Sequence, residues 1–239
     1  MIKEKYLETY KLRVSDYVRY DYLAPHGILD IFQDIAGKHS NTYNMSYEQM
    51  LKDNKIWVLL RVKYKVLKNI PLYADVDVIT YPKKKGLVDF DRETIISYNN
   101  ENCIIGISKW LVIDVNTRKI IPAKHINYDA LIPEDSLFNE RFDKIKDFDV
   151  TGLNKYLTRV EFCDVDHNGH CNNACYAKMI LNALNLSEKE EIEDFEINYE
   201  HETYLNEEIS IYYYKEENTY YIKGVSNNKN VFLSKINVK

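Results

Sequence analysis

Apolar residues in the first half of the chain follow first a helical and then a strand period. Between residues 28 and 36 they are spaced by three and four, which predicts a helix with one buried face. A capping-box pattern at Ser46 predicts a short second helix. From Ile56 to Val66 every second residue is apolar, which predicts a long strand buried on one face. Further strands are predicted at Tyr6–Val14, Ala74–Thr80, Leu87–Tyr98 and Cys103–Asp114.

The second half repeats this order of elements with little residue identity. A strand is predicted at Leu157–Cys163, then a polar turn, then a helix whose apolar face includes Tyr176 and Ile180. Four more strands are predicted at Phe195–Leu205, Glu208–Lys215, Tyr220–Val225 and Val231–Val238. A helix followed by antiparallel strands indicates a sheet that curls around its helix. Two such units in one chain can pair their sheets and expose fewer edges.

The predicted fold class is therefore α+β, with two similar units in tandem. The boundaries expected from the pattern are residues 1–122 and 151–239. Residues 123–150 have no sustained period and are interrupted by Pro133, so they are predicted to form a linker, partly helical from Asp135 to Lys144.

Composition and charge narrow the class of protein. The chain has 239 residues and a formal net charge of -5, and this mild acidity disfavours a general nucleic-acid binder. No apolar run reaches the ~18 residues that a membrane span needs. The N-terminal residues lack the pattern of a secretory signal, so the cytoplasm is the expected location. The four cysteines do not form a disulfide framework in a chain of this length.

The densest polar segment, residues 163–173, lies between a predicted strand and a predicted helix. A helix N-terminus offers unpaired amide donors and partial positive charge, which suit a carbonyl oxygen that becomes an oxyanion. An ordinary polar turn with a helix cap is the alternative interpretation. Zinc is disfavoured because no Cys-x-x-Cys pair occurs, and Cys171 and Cys175 are expected to be small buried residues.

This segment resembles the signature of a known family. Asp166-x-Asn168-x-His170-x-Asn172-Asn173 is similar to a motif of the acyl-[acyl carrier protein] thioesterases, which include plant plastid enzymes and shorter bacterial relatives. Tyr199–Glu202 resembles the second motif of that family. In the first half, Ile56–Arg61 and Gly106–Trp110 resemble its Trp-Val-Leu and Ser-x-Trp strands, and the turn with Thr117 and Arg118 follows. The resemblance spans nearly the whole chain.

The resemblance implies a tandem hot-dog fold, in which each antiparallel sheet wraps around a central helix, with no metal and no cofactor. It implies that the second half carries the catalytic residues, which are Asp166, Asn168, His170 and Glu202. It also implies that the first half holds the acyl tail in a channel between helix and sheet. Candidate residues for the wall of this channel are Trp57, Trp110, Ile31 and Phe32.

Each implied catalytic residue has a role that thioester hydrolysis requires. Glu202 is the candidate base for water, since a carboxylate on a buried strand is a stronger proton acceptor. Asn168 can hold the water or the carbonyl, and His170 can donate to the developing charge or to the leaving thiolate, or relay a proton. Asp166 is expected to orient Asn168 or His170. Plant members place a cysteine directly after the motif glutamate, whereas this chain has Thr203, so direct attack by water is expected.

The implied partner is an acyl carrier protein (ACP) that bears a phosphopantetheine-linked acyl chain. Lys83, Lys84 and Lys85 follow Pro82 at a strand turn. They form either a solvated hairpin tip or a docking patch for this acidic partner.

Three other functions stay open on the sequence alone. These are an acyl-coenzyme A thioesterase, a hot-dog dehydratase or hydratase, and an acyl-binding protein without catalysis. The sequence sets neither the acyl-chain length nor the choice between monomer and homodimer.

Overall fold

The computed structural model describes residues 4–134, 136–138 and 142–239. In chain order its helices and strands are β1 (Tyr6–Lys11), β2 (Tyr17–Val18), β3 (Tyr22–Leu23), α1 (Pro25–Asn41), α2 (Tyr47–Lys52), β4 (Lys55–Val66), β5 (Asp75–Pro82), β6 (Asp89–Tyr98), β7 (Glu101–Asp114), β8 (Asn154–Arg159), α3 (Asn173–Leu184), β9 (Ile192–Tyr199), β10 (Glu208–Glu216), β11 (Thr219–Ser226) and β12 (Lys229–Val238).

Ten of the strands form one antiparallel sheet in the order β1-β5-β6-β7-β4-β9-β12-β11-β10-β8. The order on one side of the β4–β9 pair is the mirror of the order on the other side. At this junction Arg61 pairs with Asn198, and Tyr64 pairs with Phe195. The large antiparallel sheet and the small number of helices confirm the predicted element types, and the mirrored order follows from the repeat in the sequence.

Both long helices pack on one face of this sheet and contact each other. Their apolar stripes join the inward-facing strand residues in one continuous core, where Tyr64 stacks on Phe195 with ring centroids 5.3 Å apart. Fully burying an apolar side chain of this size contributes about 1.5–3 kcal/mol, so the shared core holds the two halves together. None of the described helices is long and apolar enough to cross a membrane.

Several element boundaries differ from those predicted. Helix α1 begins at Pro25, before the predicted apolar period at residue 28, because proline fits the first helical position, where its missing amide would have no partner anyway. The strand predicted at Leu157–Cys163 ends at Arg159, and a 3-10 turn follows at Phe162–Asp164. Strand β9 ends at Tyr199 instead of continuing to residue 205.

The segment between the halves runs across the sheet face opposite the helices. The helix predicted from Asp135 to Lys144 falls partly outside the described residues, and 136–138 and 142–144 are not helical. Arg61 donates to the carbonyl of Phe142 at 2.9 Å, and the amide of Ile145 donates to the Asn198 side chain at 2.6 Å. Because Arg61 and Asn198 belong to β4 and β9, this segment crosses the junction of the two halves.

Gly106 on β7 is required for the close packing of α1 on the sheet. A Cβ at this position would lie 2.2 Å from Cε2 of Phe32 and 3.0 Å from the carbonyl oxygen of Lys63. We therefore expect Gly106→Ala to lower the free energy of unfolding by about 1–3 kcal/mol, the usual cost of overpacking. Denaturant unfolding measures this change. Gly37→Ala is the matched control, since no atom lies within 4 Å of its Cβ position, and equal destabilisation by both would contradict the argument.

Candidate active site

The loop before α3 is shaped by its own hydrogen bonds. The Asp164 carboxylate accepts from the amide of Glu161 at 2.9 Å, and its carbonyl accepts from the amide of Asn172 at 2.8 Å. Gly169 has a φ of +82°, a conformation that glycine adopts without strain. Asn172 caps α3 by accepting from the Ala174 amide at 3.0 Å. These contacts present residues 166–170 as a tight turn beside the helix N-terminus.

Asp166 holds the tip of this turn. One carboxylate oxygen accepts from the backbone amides of Asn168 at 2.8 Å and His170 at 3.3 Å. The other accepts from Nδ2 of Asn168 at 3.4 Å. A carboxylate with three donors in one loop fixes the positions of its neighbours, and this geometry is compatible with the orienting role expected from the sequence.

Asn168 is also held from the first half of the chain. Its Oδ1 accepts from the Tyr47 hydroxyl at 2.8 Å, and the Tyr47 ring packs edge-on against His167, with centroids 5.0 Å apart. This bond turns the amide oxygen toward α2 and leaves the amide nitrogen as the donor toward the loop. Tyr47 was missed in the sequence because the capping box at Ser46 marks only where the helix begins.

Glu202 lies beside this loop and contacts two charged or titratable groups. Its Oε1 accepts from Nη2 of Arg118 at 2.5 Å, and its Oε2 lies 3.5 Å from Nε2 of His170. The His170 ring packs edge-on against Tyr204, with centroids 5.1 Å apart. Arg118 comes from the turn after β7, so each half of the chain contributes to the site. The sequence motif included Arg118 but gave no role for it.

The expected environment of Glu202 is wrong in one respect. Because β9 ends at Tyr199, Glu202 lies on a loop, and 36 % of its side chain is exposed. The position of Glu202 is therefore fixed by Arg118 and by the loop, and not by a buried strand. This loop is joined to the turn at residues 166–170 by the Cys171 amide, which donates to the Thr203 carbonyl at 2.8 Å. The structure thus places Asp166, Asn168, His170 and Glu202 together.

Cys171 and Cys175, which follow the turn, are poor nucleophiles. Burial raises the pKa of the Cys171 thiol and of the Cys175 thiol to about 12 in each case, so both are protonated at neutral pH. Among residues 4–134, 136–138 and 142–239, no cluster of three or more His, Cys, Asp or Glu side chains could hold a metal ion.

Alkylation should therefore distinguish the cysteines. We expect iodoacetamide at pH 8 to modify exposed Cys163 and to leave Cys171, Cys175 and buried Cys103 unmodified in the folded protein, because only an accessible thiolate reacts. Peptide mass spectrometry measures this. The unfolded protein is the control, in which all four cysteines should react. Rapid alkylation of Cys171 in the folded protein would contradict the assigned thiol state.

An apolar cavity of about 290 Å³ opens beside the turn at residues 166–170, between α1 and the sheet of the first half. Trp57 and Trp110 border it, as expected, and Asn168 lies at its edge. Trp57 is fixed by a hydrogen bond to the carbonyl of Met45 at 3.3 Å and by edge-on packing against Phe90. The helix contributes one face, which consists of Gln33, Ala36, Gly37 and Ser40.

Ile31 and Phe32 do not border this cavity. Both are buried in the core, where the Phe32 ring covers Gly106 and packs edge-on against Tyr64. They lie on the face of α1 that points at the sheet, whereas the cavity lies along the neighbouring face. The helical period identified the buried face correctly, but it did not show which part of the helix surface borders empty space.

Arg92 on β6 is a wall residue that the sequence did not indicate. It is 6 % exposed, and its guanidinium donates to the Tyr43 hydroxyl at 2.6 Å and contacts Nδ1 of His39 at 2.9 Å. This polar cluster makes one end of an otherwise aromatic cavity hydrophilic. No sequence period reveals it, because Arg92 alternates with outward-facing acids in a strand with mixed polarity.

The three lysines of the expected docking patch are not equivalent. Lys83 binds the buried carboxylate of Glu93 at 2.7 Å and the carbonyl of Phe138 at 2.9 Å. Lys85 donates to the carbonyls of Ala123 at 3.1 Å and Ile126 at 3.3 Å. The ammonium groups of Lys83 and Lys85 therefore make contacts within the protein. The prediction that all three lysines form an open docking patch is wrong for these two. Lys84 stays exposed.

Comparison with known proteins identifies the family of this chain. The family model described as the acyl-ACP thioesterase N-terminal domain matches residues 3–127, and the model of the corresponding C-terminal domain matches residues 149–236. The chain belongs to the acyl-ACP thioesterase family. It is thus a thioester hydrolase by family, and the motif resemblance is confirmed. No curated protein matches the chain significantly in sequence.

Solved structures of acyl-ACP thioesterases share the fold along the full chain. An acyl-ACP thioesterase from Bacteroides thetaiotaomicron is 21 % identical with a TM-score of 0.90, covering 99 % of this chain and 98 % of that one. The 12:0-ACP thioesterase from Umbellularia californica is 13 % identical with a TM-score of 0.82, covering 100 % and 98 %. At these identities the likeness establishes the fold alone.

Proposed function

We propose that this chain hydrolyses fatty-acyl-ACP thioesters to free fatty acid and ACP. Asn168 carries the argument, because it belongs to the hydrogen-bonded catalytic turn and also borders the apolar cavity. A thioester carbonyl at Asn168 would therefore have its acyl chain in the cavity. In this proposal residues 1–122 and 151–239 are tandem hot-dog domains joined by residues 123–150, and the first binds the chain while the second carries out the chemistry.

The contacts suggest how water is activated. Arg118 holds Oε1 of Glu202, which leaves Oε2, on the His170 side, to accept a proton from water as it attacks the carbonyl carbon. The amide nitrogen of Asn168 donates to the oxygen as it becomes negative, while Tyr47 and Asp166 fix the amide.

The tetrahedral adduct then collapses, and its carbon–sulfur bond breaks. The departing thiolate takes the proton that Glu202 removed, through His170, so the carboxylate is restored for the next turnover. No acyl-enzyme is needed. Thr203, at the position of the plant cysteine, is 1 % exposed and hydrogen-bonds to Tyr176 at 2.8 Å, so its hydroxyl serves the core.

The carrier would dock where the phosphopantetheine arm reaches Asn168. Of the three lysines expected to contact the acidic carrier, Lys84 has no internal role, so Lys84→Glu tests docking without disturbing the fold. We expect it to raise KM for acyl-ACP several-fold and to leave KM for acyl-coenzyme A unchanged, because only the protein carrier offers an acidic surface. Steady-state kinetics with both substrates measures this, and equal changes for both would contradict docking at Lys84.

Thiol release tests the function itself. Purified protein is supplied with acyl groups of several lengths on ACP and, separately, on coenzyme A. Faster release from ACP supports the proposal, and equal release from both indicates a broad acyl thioesterase. Dehydration of a 3-hydroxyacyl thioester would point to a lyase. Fatty acid that stays bound to the purified protein, without any thiol release, would indicate an acyl-binding protein without catalysis. We also propose that the protein acts in the cytoplasm.

A further inference from the structure

A second cavity of about 370 Å³ lies at the opposite end of β4 from the catalytic one: it is lined by Tyr64 and Val66, whereas the catalytic cavity is lined by Ile56 and Trp57. It is closed by the C-terminal end of α3 and by the turn that precedes α1. Its apolar wall includes Ile28, Tyr64, Val66, Ile104, Leu181 and Leu186. Neither the family motifs nor the proposed mechanism uses this cavity.

The turn before α1 has the same architecture as the catalytic turn. Asp16 accepts from the Arg13 amide at 2.7 Å, as Asp164 does from Glu161 at 2.9 Å. The carbonyl of Asp16 accepts from the Ala24 amide at 2.8 Å, and the carbonyl of Asp164 accepts from the Asn172 amide at the same distance.

The pairing of the two turns and the position of one left-handed residue also match, and the turns differ at Tyr20, whose φ of +70° has no counterpart at Asn168. Tyr17 pairs with Leu23 as Val165 pairs with Cys171. Asp21 has a φ of +58° where Gly169 has +82°. A constant offset of 148 residues therefore relates the two turns.

This offset identifies the residues of the first turn that correspond to the catalytic ones. Val18, Tyr20 and Tyr22 occupy the positions of Asp166, Asn168 and His170. All three line the second cavity, whereas of their counterparts Asn168 alone lines the catalytic one.

The counterpart of Glu202 follows from the loops after β4 and β9. The Leu12 amide donates to the Ala74 carbonyl at 2.9 Å, and the Val160 amide donates to the Glu207 carbonyl at 3.0 Å. This match places Asn69 at the position of Glu202, and Asn69 also lines the second cavity. No carboxylate or imidazole remains at the four positions, so the catalytic set is not repeated at this end of the protein. The carboxylate that lines this cavity, Glu190, accepts from Lys215 and from the Tyr220 hydroxyl at 2.6 Å each.

One further substitution indicates the headgroup of the ligand. Arg19 stands at the position of His167, lines the second cavity and stacks its guanidinium on Tyr20 at 4.9 Å. Within the described residues no carboxylate contacts this guanidinium. A guanidinium at the mouth of an apolar cavity is suited to a carboxylate, which it can bind through two parallel hydrogen bonds.

We propose that the second cavity binds a free fatty acid without hydrolysing it, with the carboxylate at Arg19 and the single alkyl chain between α3 and the sheet. Its volume of about 370 Å³ is comparable with the 290 Å³ of the catalytic cavity. This site is separate from the proposed hydrolysis and does not depend on it.

The experiment blocks each cavity in turn in the full chain. Gly37→Phe fills the catalytic cavity, where no atom lies within 4 Å of the new Cβ, and Leu181→Trp fills the second one. Delipidated proteins are titrated with cis-parinaric acid, a fluorescent single-chain fatty acid, and circular dichroism verifies their folding. We expect two equivalents bound by the unsubstituted protein, one by each single variant and none by the double variant.

The headgroup is tested by Arg19→Gln in the Gly37→Phe protein. We expect the Kd for the fatty acid to rise about tenfold, which corresponds to about 1.4 kcal/mol, and the Kd for the matching fatty alcohol to stay unchanged. A folded Gly37→Phe protein that binds no fatty acid, or an Arg19→Gln protein that binds acid and alcohol as before, overturns the proposal. Thiol release is measured on the same unsubstituted sample, so a protein that binds two equivalents but hydrolyses nothing contradicts only the proposed function.

Discussion

Glu202→Gln is expected to reduce kcat for acyl-ACP by about 10²- to 10⁴-fold, the usual contribution of a positioned general base. The amide has the size of the carboxylate and can still contact Arg118, but it cannot accept the proton of water. Because 36 % of the Glu202 side chain is exposed, the folded state should tolerate this change. Thiol release at saturating substrate measures kcat, and thermal unfolding verifies that the fold persists.

Glu208→Gln is the matched control, since Glu208 is an exposed carboxylate on the next strand. We expect it to retain full turnover. Near-normal turnover in the Glu202→Gln protein would remove Glu202 from the role of base and direct attention to His170. A loss caused by unfolding would appear in the thermal transition, so the two explanations are separable.

Asn168→Asp should cost about 10²- to 10³-fold in kcat, as the loss of one oxyanion donor does in other hydrolases. The substitution keeps the shape of the side chain but replaces the donor amide by a second carboxylate beside Asp166, where it faces the developing negative charge. Single-turnover thiol release measures the chemical step. An unchanged rate would show that the oxyanion is stabilised elsewhere, for example by the free amides at the start of α3.

Tyr47→Phe separates positioning from chemistry at the same residue. It removes the hydroxyl that holds Oδ1 of Asn168 at 2.8 Å but leaves the amide donor in place. A much smaller loss of kcat than in Asn168→Asp is therefore expected, with KM little changed. Equal losses in the two variants would mean that the orientation of the amide, and not only its presence, determines the rate.

Local patterns in the sequence predicted those parts of the structure that local physics determines. The alternation from Ile56 to Val66 gave β4, and the three-and-four spacing of apolar residues gave α1, because burial of one face sets both periods. Asp166, Asn168 and His170 lie on one short turn, so the density of polar residues marked their segment, and the family resemblance proposed them as site residues. The family resemblance then supplied Glu202, which no local pattern connects to that turn.

Contacts between distant segments were not accessible in the same way. From the first half of the chain, Tyr47 contacts Asn168 and Arg118 contacts Glu202, partners that are 121 and 84 residues away in sequence. The internal contacts of Lys83 and Lys85 were missed for the same reason, since a run of three lysines at a turn normally indicates exposure. Ile31 and Phe32 were assigned to the channel because periodicity identifies a buried face but not an empty space.

The join between β4 and β9 has a consequence for how the molecule can evolve and be engineered. If the two halves were identical subunits of a dimer, every substitution would appear at both ends of the sheet. In one polypeptide the turn at Tyr17–Leu23 can change while the turn at Val165–Cys171 stays as it is. Covalent fusion thus frees each end to specialise, and selectivity can be redesigned in one cavity while the other keeps its native lining.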